Sequence, residues 1–242
     1  MKNKTENYII LRSLQRSGTH AISKWLLQDE NTRFHNNISA FYKTLSNFNS
    51  NIKLKENESL IEKQLKRQAN YLHVFGIELQ NMWYDLNPKT DAQQNNILLI
   101  RSPVNWFSSF VSHKSRNPIN LYLFTQMWKT YAHEFIGDTN YLKNKINIYF
   151  DKWVANEKYR KNIYKKLERL GLNFNYKNTD FISSKGGGSS FSGQSIQGKE
   201  LSANVLDRLS FLEGKHLDWA IKMSQDKEIK YLHNKIIKAT KI

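Results

Sequence analysis

Cysteine is absent from all 242 residues, which excludes disulfides and cysteine-ligated zinc. Long apolar runs are absent too. The longest wholly aliphatic stretch, Ile97-Leu98-Leu99-Ile100, falls far short of the ~20 residues that span a bilayer. The opening residues, MKNKTENYII, pass straight into a strand-like run with no room for the apolar core of a secretory leader, so a cytoplasmic protein is the expectation. Carboxylates are the scarce charge: 21 Asp and Glu face 37 Lys and Arg, for a net charge of +16. That balance suits anionic partners, although much of the lysine sits in Asn/Lys-rich stretches that coding bias also produces. A nucleic-acid partner is not expected. No helix-turn-helix, zinc or RNP signature occurs, lysine is dispersed, and aromatics such as Trp106, Phe107 and Phe110 fall at core spacings.

What is present is core material, 39% hydrophobic and 13% aromatic residues, enough for one α/β domain over 1–242. Short β-type runs at Tyr8–Leu11, Tyr71–Ile77, Ile97–Ile100 and Ile146–Phe150 alternate with helical patterns. The helices are expected near Ala21–Leu26, Leu60–Leu65, Trp106–Val111, Leu121–Phe135 and Tyr159–Leu170, the last stopped by Gly171. A largely helical C-terminus runs from about Ala203 to Ile237. Such alternation predicts a mostly parallel sheet with helices on both faces. The polar segment 36–70 reads as an acceptor-facing insertion, and 183–193 as a glycine- and serine-rich loop.

Two segments carry chemistry. Between the first strand and its helix stands Gln15-Arg16-Ser17-Gly18-Thr19-His20. A helix start offers unpaired N–H groups and a partial positive charge, so an anion settles there. Gly18 admits close approach, Ser17 and Thr19 add hydroxyls, and Arg16 adds a guanidinium. His20 lies beside this loop and is placed to touch the same anion. The second segment is the strand Ile97–Ile100 delivering Arg101, with Pro103 and Ser109 two and eight residues on. A strand's carboxyl end is where open α/β sheets bind ligands.

Together these segments resemble the sulfotransferase superfamily that uses 3′-phosphoadenosine 5′-phosphosulfate (PAPS), as a divergent, bacterial-type member. Arg16-Ser17-Gly18-Thr19 is similar to its 5′-phosphosulfate loop, and Arg101, Pro103 and Ser109 to its 3′-phosphate motif. Ile148-Tyr149-Phe150-Asp151 resembles its late strand ending in an aromatic–acidic pair, and Lys185-Gly186-Gly187-Gly188-Ser189 its C-terminal basic loop. Ser102 and Ala21 depart from the acidic residue and the tryptophan common in its best-known cytosolic branch. The resemblance implies a P-loop-like α/β fold, and sulfuryl transfer from PAPS to a hydroxyl or amine of a carbohydrate or small metabolite, with PAP as product and no metal. It implies that Arg16, Ser17, Gly18 and Thr19 hold the 5′-phosphate and that Arg101, Ser109, Lys185 and Gly186–Gly188 hold the 3′-phosphate. Phe150 is then a candidate neighbour of the adenine.

For the general base, the superfamily's two locations correspond here to Glu78, which is preferred, and His35. The competing reading, a nucleotide kinase or related NTPase, wants G-x-x-x-x-G-K-[ST]. Here Ser13 and Thr19 stand where the first glycine and the lysine belong, and the strand end offers Arg101 in place of a metal-binding carboxylate.

Overall fold

The computed structural model describes residues 7–35, 50–67, 71–78, 91–111, 121–177 and 205–241. Strands β1 (Asn7–Ser13), β2 (Thr32–His35), β3 (Leu72–Glu78), β4 (Gln93–Ile100) and β5 (Lys145–Tyr149) form one sheet in the order β2-β3-β1-β4-β5. Every pairing in it is parallel. The expected α/β architecture is therefore the observed one. β1 is central because both of its faces are apolar. Ile9 and Leu11 pack with Ile22, Trp25 and Leu26 of α1 (Thr19–Leu26), while Tyr8 and Ile10 pack with Ile61 and Leu65 of α2 (Ser50–Arg67). A strand buried on both faces reads as a continuous hydrophobic run, as this one does.

After β4 come α3 (Pro103–Val111) and α4 (Leu121–Ile136); after β5 come α5 (Phe150–Ala155) and α6 (Glu157–Glu168). A 3₁₀ turn at Leu209–Phe211 leads to α7 (Gly214–Gln225) and α8 (Lys227–Ala239). Asp226 breaks the last pair and caps α8 by accepting from Ile229 N–H at 2.9 Å. Among the described residues, no helix is long and apolar enough to cross a membrane.

Three boundaries differ from the sequence reading. β2 was not expected, because four residues with one large apolar side chain carry little strand signal; its partner β3 makes it a strand. The helix expected at Leu60–Leu65 extends over Ser50–Arg67. Phe150 opens α5 instead of closing β5, and its ring is buried against Trp153 at 5.8 Å.

A buried carboxylate fixes the turn between α4 and β5. Glu134, fully buried, accepts from Thr139 Oγ1 (2.7 Å), Tyr141 N–H (3.0 Å), Leu142 N–H (3.1 Å) and Lys145 Nζ (2.5 Å). Burial alone would raise its pKa. The hydrogen bonds from Lys145, Thr139 and the two amides outweigh it and hold the group below the usual carboxylate range. A depressed folded-state pKa contributes stability that is present above the unfolded pKa of about 4.3 and lost as pH falls through the folded one. Glu134→Gln is expected to cost about 3 kcal/mol in urea unfolding at neutral pH. The gap from wild type should narrow in acid.

Candidate anion-binding site

The loop between β1 and α1 is bent by two left-handed residues, Arg16 (φ 71°) and Gly18 (φ 101°), on either side of Ser17. A left-handed arginine is uncommon and costs of order 1–2 kcal/mol, so the surrounding structure must hold it. That hold is visible in the carbonyls. Tyr131 OH donates to Ser13 O at 3.2 Å, Trp106 Nε1 to Gln15 O at 2.8 Å, and Arg101 Nη1 to Arg16 O at 3.3 Å. Ser13 and Thr19 hydroxyls pair at 2.7 Å across the loop. The loop's carbonyls are thus bound from within the protein, and Ser17 N–H donates to the Leu14 carbonyl at 3.1 Å. Gly18 is the N-cap of α1, and no side chain caps that helix start. Ser17 Oγ is buried with no hydrogen-bond partner, a costly state for a hydroxyl unless a ligand completes it.

Arg101 reaches this loop from the end of β4. Only 4% exposed, it also donates through Nη2 to the Val205 carbonyl, and its own carbonyl accepts from Trp128 Nε1 at 2.9 Å. Its Nε is buried without a partner. Burial pulls its pKa down to about 10, opposed by Asp151 and reinforced by Arg16, so it stays cationic at neutral pH. A third guanidinium, Arg208, is 6% exposed, and its pKa is likewise held at about 10 by burial and by the charges of Arg101 and Arg16. Three mutually repelling cations brought together from residues 16, 101 and 208 make a strong positive focus.

Phe150 lies directly on the loop. A Cβ added to Gly18 would stand 2.7 Å from Phe150 Cζ and closer still to Cδ2 and Cε2. The same ring lies 5.3 Å from the Arg101 guanidinium, within cation–π range. Ser109 is buried on α3, one turn beyond Asn105 on the same helix face. His20 is half-buried in the first turn of α1. Lys185 and Gly186–Gly188 lie outside the described residues.

The two candidate bases stand at neighbouring strand ends. Glu78 closes β3, its backbone in register with Ser13 at the start of the loop. His35 closes β2, in register with Phe75. Its Nε2 lies 2.9 Å from His73 Nδ1, and its ring is nearly parallel to those of His73 and Phe75. Burial, then the neighbouring His73, lowers its pKa to about 4, so His35 is neutral at pH 7.

Sequence reasoning missed Arg208 and Asn105. Arg208 sits in an unremarkable Asp207-Arg208-Leu209 stretch. Its place is set by Asn105, about a hundred residues earlier, which accepts from Arg208 N–H at 3.0 Å. No local pattern signals such a bond.

No family model and no curated protein matches the chain. Among solved structures it superposes on the sulfotransferase domain of the Synechococcus PCC 7002 olefin synthase, with a TM-score of 0.54 and 15% identity over 93% of this chain and 98% of that one. A looser superposition, with a TM-score of 0.45 and 14% identity, covers 96% of this chain and 88% of mouse sulfotransferase SULT7A1 complexed with PAP. The chain has the sulfotransferase fold.

Proposed function

We propose, with the sulfotransferase fold as premise, that this protein transfers a sulfuryl group from PAPS to a hydroxyl of a carbohydrate or small metabolite, with PAP as the other product. The observation that carries the reading is the meeting of Arg101 with the Arg16 loop, beside a buried Ser17 hydroxyl and an Arg101 Nε that both await an acceptor. Those residues fit a phosphate. PAPS supplies an activated sulfuryl group on its 5′-phosphate and a second anchoring charge in its 3′-phosphate. Ser17, Thr19 and the amides at the start of α1 hold the 5′ end, and Arg16 stabilises the negative charge left on that phosphate. Arg101 and Arg208 hold the 3′-phosphate, with Ser109, Lys185 and Gly186–Gly188 contributing from farther along the chain.

Glu78 takes the proton of the acceptor hydroxyl. Its strand position next to Ser13 supports this role. His35 is one strand further out and has its Nε2 committed to His73. The segments read as acceptor-facing, 36–70 and the stretch near His113–Leu121, lie outside the described residues except for α2, whose Ile61 and Leu65 pack against β1, and for Leu121, which opens α4.

Titration calorimetry with PAP should show saturable one-to-one binding. Absence of PAP binding, together with steeply salt-dependent binding to DNA, would overturn the reading. Glu78→Gln should lower kcat by at least about 100-fold with PAP affinity unchanged, while His35→Ala should keep kcat within a few-fold of wild type. The opposite pattern would move the base to His35.

A further inference from the structure

Asp151 stands behind the arginine cluster, in the first turn of α5. Its Oδ2 accepts from Ser102 N–H at 2.7 Å, and its Oδ1 accepts from Ser102 Oγ at 2.7 Å and from Asn105 Nδ2 at 2.8 Å. Asn105 Nδ2 gives its other hydrogen to the Leu206 carbonyl at 2.8 Å, and Asn105 Oδ1 accepts from Arg208 N–H at 3.0 Å. Arg101 Nη2 bonds the preceding carbonyl, of Val205. A continuous hydrogen-bond path thus runs from the start of α5 through α3 to the main chain of Arg208.

The chemistry of this path has a direction. An ionised carboxylate only accepts, so Asp151 forces the NH₂ of Asn105 toward itself and leaves the amide oxygen facing Arg208 N–H. Were the Asn105 amide reversed, its oxygen would confront the carboxylate and the Leu206 carbonyl, and its NH₂ would confront an N–H. All three neighbours demand the same orientation.

We infer that Asp151 is a positioning residue for the anion site: it sets the Asn105 amide, which mounts Arg208 beside Arg16 and Arg101. The inference rests on the reading that these arginines grip the phosphates of PAPS, and it assigns Asp151 no contact with the ligand. An asparagine at position 151 supplies one acceptor and one donor. It must therefore set an NH₂ against either Ser102 N–H or Asn105 Nδ2, and the path breaks at one end.

Two measurements on the full-length protein test this. The first is hydrogen exchange at the Arg208 backbone amide. Asp151→Asn and Asn105→Ala should each speed it at least about tenfold, while the amides of β1 and β4 keep wild-type rates. The second is calorimetry with PAP and with inorganic pyrophosphate. Each variant should weaken PAP about tenfold alone but less than about twofold in an Arg208→Ala background, since coupled residues do not add. Unchanged Arg208 exchange, or losses that add fully in the Arg208→Ala background, would overturn the inference. If Asp151→Asn does not fold, Asn105→Ala decides the point within an otherwise intact α3. A wild type that binds pyrophosphate but not PAP defeats the sulfuryl-donor reading alone. Normal PAP binding with an indifferent Asp151→Asn defeats the positioning role alone.

Discussion

Arg101→Ala is expected to reduce kcat/KM for sulfuryl transfer by at least 100-fold, about 3 kcal/mol or more, in steady-state assays with PAPS. The residue does two things at once. Its guanidinium stands beside the loop with Nε unpartnered, and its Nη1 and Nη2 bind the carbonyls of Arg16 and Val205. Truncation therefore removes charge from the site and releases two backbone segments that shape it. Arg101→Lys should recover little, because an ammonium cannot serve two carbonyls and a phosphate in the planar geometry of the guanidinium. Losses should appear in PAP affinity as well as in kcat. An Arg101→Ala enzyme with near wild-type kcat/KM would remove this residue from the machinery.

Gly18→Ala is the second large effect, and it should strike the fold and the site together. The position requires a left-handed φ of 101°, and the space for a methyl group is already filled by the Phe150 ring. Left-handed strain costs of order 1–2 kcal/mol and overpacking typically 1–3 kcal/mol, so a loss of about 3 kcal/mol is expected in thermal or urea unfolding. Relaxing the clash by moving Phe150 would disturb Arg101, which lies against the same ring, and PAP binding should fall with stability. A Phe150→Leu change in the Gly18→Ala background should return part of the packing loss but none of the φ penalty. Equal stability of Gly18→Ala and wild type would contradict the loop geometry.

The architecture was legible where burial is continuous. β1, β3 and β4 announce themselves because a strand covered on both faces must be apolar at consecutive positions, as Ile97–Ile100 is. The loop was legible because its chemistry is local: glycine, hydroxyls and arginine within a few residues, at a strand-to-helix turn. β2 was hidden because Thr32–His35 pairs only with β3 and owes its conformation to that neighbour. The start of α5 was hidden for a related reason. Tyr149-Phe150 reads as more strand, yet Asp151 is drawn to Ser102 and Asn105, and the chain turns to deliver it there. Arg208 was illegible in principle: its position depends on the side-chain orientation of Asn105, a quantity that no window around Arg208 contains.

The strand order also bears on how the protein comes into being. Since all neighbours in the sheet run parallel, none can be closed by a tight hairpin, and each must wait for a distant segment. β1 leaves the ribosome first, yet its two partners follow only with residues 72–78 and 93–100. Until then, Tyr8-Ile9-Ile10-Leu11 is an unpaired greasy edge on a growing chain, the kind of segment that sticks to others in a crowded translation system. Among the five strands of the sheet, the one that runs into the Arg16–Gly18 loop thus waits longest for its sheet partners during synthesis.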